Sequence, residues 1–233
     1  MNIGMLIYII GWALNLVGGF MIIPIVTALF YQEPIYPFLL TAGICLVFGI
    51  PMTLRKIKTY QLHAKDGCIA VSLSWVVISV FGMLPFLIGG SIPNVIDALF
   101  ETVSGFTTTG ASILNDVECL PYSIIMWRSF THWVGGMGLL VFFLALIRLP
   151  GGSHMNLMKA ESPGPSVSKL VPKIQSTAVI LYAIYFGLTL LEIVVLLLCD
   201  MPLFDAIATT FGTAGTGGFG IKNDSIGGYS ASV

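Results

Sequence analysis

The sequence predicts an all-α membrane protein built from repeated span–loop–span units and preceded by two extra N-terminal helices. Hydrophobic residues make up 56% of the 233 positions and charged residues only 9%, whereas a soluble domain carries about 25% charged residues. Several apolar segments are long enough to cross a bilayer, and one pattern of residues occurs twice along the chain. Together these observations exclude a soluble domain.

Residues 1–54 are predicted to form two transmembrane helices. The apolar segments 3–29 and 38–54 flank a short turn that contains Glu33. No Lys or Arg precedes the first apolar run, and we interpret it as a retained helix rather than a cleaved signal peptide. Both segments reach the length that a membrane-spanning helix needs.

Residues 67–148 are predicted to form the first span–loop–span unit, after a basic loop at 55–66. Its two spans are residues 67–88 and 122–147. Residues 93–106 between them are also apolar. At about 14 residues, however, this segment suits a re-entrant helix better than a crossing.

The run Ser104–Ser112 follows the short helix and is rich in Thr and Gly, with no charged residue. Non-helical backbone at membrane depth is tolerated only where protein buries it or where it lines a watery cavity. Its carbonyl oxygens would then be free to face a dehydrated cation. This run is therefore the first candidate functional site.

A second, incomplete unit is predicted over residues 176–233, after a cytoplasmic linker at 149–175. The linker contains several prolines and cannot be helical throughout. The span covers residues 176–199 and is followed by a short helix at 202–214. That helix leads into another Gly- and Thr-rich run, Phe211–Gly220.

The two units align without a gap when the chain is shifted by 108 residues. The shift pairs Asp-Ala with Asp-Ala, Thr with Thr, Gly with Gly and Asn-Asp with Asn-Asp. The pairs are Asp97-Ala98 with Asp205-Ala206, Thr108 with Thr216, Gly110 with Gly218, and Asn115-Asp116 with Asn223-Asp224. Repetition of a span and a re-entrant loop is typical of pores and transporters.

Each loop offers oxygen ligands and contains no carboxylate. Gly110 and Gly218 can adopt φ > 0 and let two backbones approach closely. Thr108 and Thr216 add hydroxyl or carbonyl ligands. Ca²⁺ and Mg²⁺ are held by carboxylates, so the loops indicate a monovalent cation. The short helices would point their partly negative C-terminal ends inward, which also favours a cation.

The basic residues predict the orientation of the chain. Eight of the ten Lys and Arg residues lie in the segments 55–65 and 148–173, and by the positive-inside rule this side is cytoplasmic. The N-terminus is then cytoplasmic, and both Gly- and Thr-rich runs enter from the outside. Membrane lipid surrounds such a chain, and a net charge of −1 does not indicate a nucleic-acid partner.

Three side chains in or near the spans are candidates for further roles. Arg128 could influence cation passage or brace the pore loop through its five donors. Bracing is favoured, because a fixed positive charge would repel cations. His132, one turn away, is interpreted as a packing residue. Glu192 is a candidate intramembrane acid that needs a partner. Either Arg128 pairs with it, or its own carboxyl is protonated and hydrogen-bonded.

An intramembrane enzyme is the rival class of function. It would use Glu101, His132 or Glu192 as an acid or base, but these residues lie on different segments and share no motif. The four Cys residues lack metal-ligand spacing and are interpreted as small buried hydrophobic side chains. A disulfide between Cys119 and Cys199 is not favoured.

Several long motifs make the sequence resemble the membrane subunits of the Trk/Ktr/HKT superfamily of potassium transporters. The two longest are Asp97-Ala-Leu-Phe-Glu-Thr-Val-Ser-Gly-Phe-Thr-Thr-Thr-Gly-Ala111 and Met126-Trp-Arg-Ser-Phe-Thr-His-Trp-Val-Gly-Gly-Met-Gly138. The shorter ones are Lys159-Ala-Glu-Ser-Pro-Gly-Pro165, Asp205-Ala-Ile-Ala208 and Gly217-Gly-Phe219. The matching pieces extend over nearly the whole chain.

The resemblance implies four span–pore-loop–span repeats around a K⁺-channel-like pore, each contributing one filter glycine. Gly110 and Gly218 match these glycines, and Gly rather than Ser at the first position is associated with K⁺ over Na⁺. Arg128, Asn115 and Asn223 are candidates for filter support. The implied filter residues are Thr107, Thr108, Thr109, Gly110, Ala111, Gly215, Thr216, Gly217, Gly218 and Phe219.

The resemblance also implies potassium uptake across the plasma membrane, which in bacteria is the inner membrane. K⁺ is the transported ion, and no organic cofactor is expected in this chain. The implied partners are a second copy of the chain, in a homodimer, and a cytosolic nucleotide-binding regulatory subunit of the TrkA type. The linker would face that subunit.

The last residue, Val233, precedes the outgoing helix that a second complete repeat would need. Two loops cannot close a four-fold filter, and we favour the interpretation that the chain is the N-terminal half of a longer protein. The alternatives are two-repeat chains that pair, and a non-conducting fragment or structural membrane subunit.

Overall fold

A computed structural model describes residues 2–55, 64–138 and 174–229. Within these ranges the regular structure consists of nine α-helices and one 3-10 helix. They are α1 (Ile3–Phe20), α2 (Ile22–Phe30), α3 (Tyr36–Leu54), α4 (Ala64–Gly82), α5 (Leu84–Ile88), α6 (Val95–Phe106), α7 (Tyr122–Met137), α8 (Ile174–Leu198), α9 (Leu203–Ala214) and the 3-10 helix Ser225–Gly228. Most of the predicted basic loop and cytoplasmic linker lie outside the described residues.

Four helical segments of the described chain are long and apolar enough to cross a membrane: Ile3–Phe30, Tyr36–Leu54, Lys65–Ile88 and Val179–Leu198. They correspond to four of the five predicted spans. Within the predicted span 122–147, helix α7 ends at Met137, because Gly138 takes a left-handed φ of 70°. The rest of that predicted span lies outside the described residues.

The N-terminal hairpin consists of α1 and α2, which form one interrupted span, and of α3, which returns beside α1. The interruption falls at Met21, three residues before Pro24, whose ring has no N–H to continue the hydrogen-bond ladder. Gly11 lies against Met52, so closely that a Cβ would collide with it. Such glycine contacts allow helices to approach closely where lipid provides no hydrophobic driving force.

The first repeat contains α4 to α7 and holds the largest share of the buried core in the described ranges. Its first span is interrupted at Met83, just before Pro85. The Nε1–H of Trp127 on α7 donates a 2.9 Å hydrogen bond to the Gly82 carbonyl at the end of α4. This bond satisfies a carbonyl that a helix end would otherwise leave without a partner, and it joins the outgoing helix to the incoming one.

The second repeat contains α8 and the short helix α9. The two short helices α6 and α9 have the same length, 12 residues. Their positions differ by one or two residues from the predicted 93–106 and 202–214. Only 6% of the most apolar window of α8 is buried, so this span lies at the periphery of the described chain and meets the rest mainly through α9 and α7.

Candidate functional site

The two short helices end in the same way. In each, three successive N–H groups at the helix end bond back to carbonyls of the last turn, and the donors and acceptors differ between repeats by 108 positions. The bonds are Thr107 N to Val103 O, Thr108 N to Gly105 O and Thr109 N to Ser104 O in the first, and Gly215 N to Phe211 O, Thr216 N to Thr213 O and Gly217 N to Gly212 O in the second. Equivalent residues therefore form equivalent turns.

The backbone after each turn repeats an uncommon conformation. Thr108 and Thr216 have φ of 55° and 58°, and Gly110 and Gly218 have φ of 75° and 86°. A positive φ is unusual for a residue with a Cβ, above all for a β-branched one. Such conformations persist only where the surroundings enforce them, and they cluster at functional sites. The same two positions in each loop carry this strain.

The loops lie against one another. A Cβ at Gly110 would collide with the carbonyl oxygen of Gly217. The predicted filter residues 107–111 and 215–219 are therefore neighbours, brought together from two separate repeats. Gly218 differs, since a Cβ there would meet no atom within 4 Å in the described part of the chain.

Helix α7 packs against the inner ends of both short helices through small residues. A Cβ on Gly135 would collide with the Phe106 carbonyl, and one on Gly136 would lie too close to Gly215. The contact between α6 and α7 is equally close at Gly105 of α6, where a Cβ would collide with the hydroxyl of Thr131 on α7. This close approach fixes α7 as a common support for the two loops.

A buried ion pair joins α6 to α7 directly behind the loops. The Arg128 Nε lies 2.5 Å from Glu101 Oε1, and both side chains are at most 3% exposed. The Arg128 Nη1 also donates a 3.0 Å bond to the Gly220 carbonyl, and its guanidinium carbon lies 3.6 Å from the centre of the Phe219 ring. Arg128 from the first repeat thus contacts the loop of the second.

The same carboxylate holds the chain that returns from the first loop. Glu101 accepts a 2.9 Å bond from the Ser112 hydroxyl and a 2.9 Å bond from the Ile113 N–H. Sequence reasoning considered Glu101 as an acid or base for an enzyme and did not recognise this role. A signal was present, since a charged residue inside a short apolar helix needs a partner.

His132 is fully buried beneath the second loop. Its ring stacks on Phe219 with the centres 3.9 Å apart, and its Nδ1 accepts a long 3.5 Å contact from the Phe219 N–H. A Cβ on Gly217 would collide with the imidazole. No group of three His, Cys, Asp or Glu side chains among the described residues could hold a metal ion. His132 is therefore a buried packing residue against Phe219, in agreement with its interpretation from the sequence.

The two asparagines proposed as filter support occupy different environments. Asn223 Oδ1 accepts from the Val117 N–H, and its Nδ2 donates to Asp116, both at 2.9 Å. The bond from Asn223 lowers the pKa of the exposed Asp116 carboxyl. The Asn115 side chain is exposed and makes no hydrogen bond within the described ranges. Of the two asparagines, Asn223 is therefore the one that joins the outer segments of the two repeats.

Glu192 accepts a short hydrogen bond from the Thr213 hydroxyl in the last turn of α9. Its candidate pairing with Arg128 is wrong, because Arg128 is bound to Glu101. The prediction that the four cysteines are buried is confirmed for Cys45 and wrong for Cys68 and Cys119, which are exposed, while Cys199 is partly exposed. All four are free thiols. No disulfide joins them.

Four helical segments long and apolar enough to cross a membrane, with two short helices that end in equivalent loops, define an all-helical membrane protein built from repeats. The family described as "TrkH: Cation transport protein" matches residues 38–233, and the chain belongs to this family. The resemblance to this superfamily is thereby confirmed, and the family is one of transporters and not of enzymes.

Individual relatives agree with this assignment. The Trk system potassium uptake protein TrkH of Vibrio parahaemolyticus is 37% identical over 227 residues, which are 95% of this chain and 47% of that protein. TrkG of Escherichia coli is 38% identical over 212 residues, or 89% and 44% of the two chains. The chain spans about half the length of the curated relatives it matches.

The crystal structure of a relative has the same fold. The potassium transporter TrkH from Vibrio parahaemolyticus superimposes with a TM-score of 0.82 at 34% identity, covering 99% of this chain and 47% of that one. The predicted all-α membrane fold is therefore correct.

Proposed function

We propose that this chain supplies two of the four pore loops of a transporter that takes up K⁺ through a filter of backbone carbonyls. The observation that carries the proposal is the repeated loop geometry: two loops from separate repeats, with the same hydrogen bonds and left-handed positions, meet at Gly110 and Gly217. Two relatives that match nearly the whole chain are named as potassium uptake proteins.

The ligands of the ion would be the carbonyl and hydroxyl oxygens of the loops. The candidate residues are Thr107, Thr108, Thr109, Gly110 and Ala111 in the first loop, and Gly215, Thr216, Gly217, Gly218 and Phe219 in the second. Neither loop contains a carboxylate, which suits a monovalent ion that must bind weakly enough to leave again. Glycine at positions 110 and 218 favours K⁺ over Na⁺ by resemblance to the family.

Arg128 supports the filter rather than contacting the ion in this proposal. Its charge is compensated by Glu101 at 2.5 Å, so the pair adds little repulsion to a cation in the loops. Asn223 supports the outer ends of both loops, and Asn115 would act only through groups outside the described residues. Glu192 remains a candidate intramembrane acid, with the hydroxyl of Thr213 as its partner.

The proposal also includes the membrane location, the orientation and the partners of the transporter. The chain lies in the plasma membrane with its N-terminus in the cytoplasm, so that both loops enter from outside. The complete transporter forms a homodimer and binds a cytosolic nucleotide-binding subunit of the TrkA type at the linker. The names of the relatives, which refer to the Trk system, support a multi-component system.

The proposal is tested by reconstituting the complete transporter in lipid vesicles and measuring uptake of K⁺, Rb⁺ and Na⁺ under equal gradients. We expect K⁺ and Rb⁺ to enter much faster than Na⁺, because a carbonyl-lined filter replaces the hydration shell of the larger ions. Vesicles without protein serve as the control for passive leakage of the ions. Equal rates for K⁺ and Na⁺ would rule out a K⁺-selective filter.

A further inference from the structure

The outer turn of the N-terminal hairpin, residues Tyr31–Glu33, lies outside the repeats and yet contacts them directly. The Glu33 carboxylate accepts three hydrogen bonds from the first turn of α7. Tyr122 N–H donates to Oε1 at 2.7 Å, and Ser123 N–H and hydroxyl donate to Oε2 at 2.9 and 2.6 Å. A side chain 89 residues away in sequence therefore caps this helix.

The cap is needed because α7 has none of its own. The residue before its first turn is Pro121, which provides no side-chain acceptor. The first amides of a helix have no partner within the helix, and the partial positive charge at that end attracts a carboxylate. Glu33 meets both requirements, so the position of the α7 N-terminus depends on the hairpin.

Tyr31 in the same turn joins two helices of different repeats. Its ring stacks on Tyr122 at 4.2 Å between centres and meets Phe204 edge-on at 5.6 Å. Tyr122 and Phe204 also touch each other, at 4.8 Å. Because Phe204 lies in the first turn of α9, the three rings connect the outer end of α7 with the outer end of the second short helix.

These contacts act on the filter through α7. Arg128, His132 and Gly135 on this helix each contact one of the loops or the short helix behind it. A helix moves as a rigid element, so a shift of its outer end displaces all three supports together. Glu33 touches no loop itself.

We propose that the turn Tyr31–Glu33 is an outer clamp that sets the filter geometry, with Glu33 as its positioning residue. This inference rests on the proposed function and assigns a role to the two spans that precede the repeats. The clamp holds α7 by its N-terminal amides and α9 by the ring of Phe204. Loosening it changes which ion the loops accept, as well as the stability of the fold.

The test uses the complete transporter in vesicles with Glu33→Gln, compared with Asp97→Asn. Asp97 also lies at the outer end of a helix, and within the described ranges it bonds to no other segment. The two changes therefore remove the same charge from the same side of the membrane. We expect Glu33→Gln to lower the ratio of K⁺ to Na⁺ uptake on the order of fivefold, since bonds to a charged group are among the strongest hydrogen bonds, and Asp97→Asn to leave it within about twofold.

Each outcome is decisive. Equal changes in the two variants would mean that only outer charge matters, and an unchanged ratio in Glu33→Gln would also overturn the clamp. If Glu33→Gln does not fold, Tyr31→Leu removes the ring contacts alone and must lower the ratio in the same direction. A wild-type protein without K⁺ preference would overturn the proposed function and the clamp together, whereas a selective wild type with a normal Glu33→Gln overturns only the clamp.

Discussion

Replacing Gly110 with serine is expected to reduce the preference of the complete transporter for K⁺ over Na⁺ by about tenfold or more. Gly110 has a φ of 75°, and a residue with a Cβ there costs about 1–3 kcal/mol. The new Cβ would also collide with the Gly217 carbonyl, so the two loops must move apart. A change of 1.4 kcal/mol in relative ion binding corresponds to a tenfold change in preference. The measurement is the ratio of K⁺ to Na⁺ uptake in vesicles.

Gly90→Ser is the matched control for this prediction. Gly90 lies in the turn between α5 and α6 and has nearly the same φ, 71°, but a Cβ there would meet nothing within 4 Å among the described residues. The Gly90→Ser substitution imposes similar backbone strain without touching the loops, so the ratio of K⁺ to Na⁺ uptake should be unchanged. A normal ratio in Gly110→Ser, with the protein present in the vesicles, would contradict the assignment of the filter.

Neutralising Glu101 alone is expected to destabilise the fold strongly. Glu101→Gln leaves the buried Arg128 guanidinium without its counter-ion, and breaking a buried pair costs about 3–5 kcal/mol. The bonds from the carboxylate to Ser112 and Ile113 weaken at the same time. The thermal unfolding midpoint in detergent should fall sharply, together with the K⁺ preference, because both loops depend on this pair.

The double variant Glu101→Gln with Arg128→Gln tests whether the two side chains act as a pair. Replacing both partners removes both buried charges, so the double variant should be more stable than Glu101→Gln alone. Residues in direct contact show such non-additive effects. Arg55→Gln changes an exposed arginine at the end of α3. It should leave the free energy of unfolding within about 0.5 kcal/mol of wild type and the thermal midpoint nearly unchanged. Strictly additive losses would contradict the coupling.

The loops could be predicted from sequence because their constraints are local. Gly110 and Gly218 indicated left-handed backbone by residue type alone, and the 108-residue shift placed the two runs in equivalent positions. The equally left-handed Thr108 and Thr216 could not be predicted in this way, because threonine disfavours that conformation. Their backbone is determined by the turn and by the packing around it.

The supports of the loops depend on contacts between distant segments, which no local pattern encodes. Arg128 was predicted to brace the pore loop, but its partner Glu101 lies 27 residues away and meets it only through the packing of α6 on α7. Glu33 reaches α7 across an even longer separation. Composition alone does not locate the end of α7 at Met137, because apolar residues continue beyond Gly138, where the backbone turns to a positive φ.

The most direct test of a carbonyl-lined filter is to locate the ion. A crystal of the complete transporter grown in Rb⁺, which replaces K⁺ and scatters anomalously, should show anomalous density between the two loops, bounded by the backbone of residues 107–111 and 215–219. The same crystal form in Na⁺ should lack ordered ions at these carbonyls. Rb⁺ density at carboxylates such as Glu192, with none between the loops, would contradict the account.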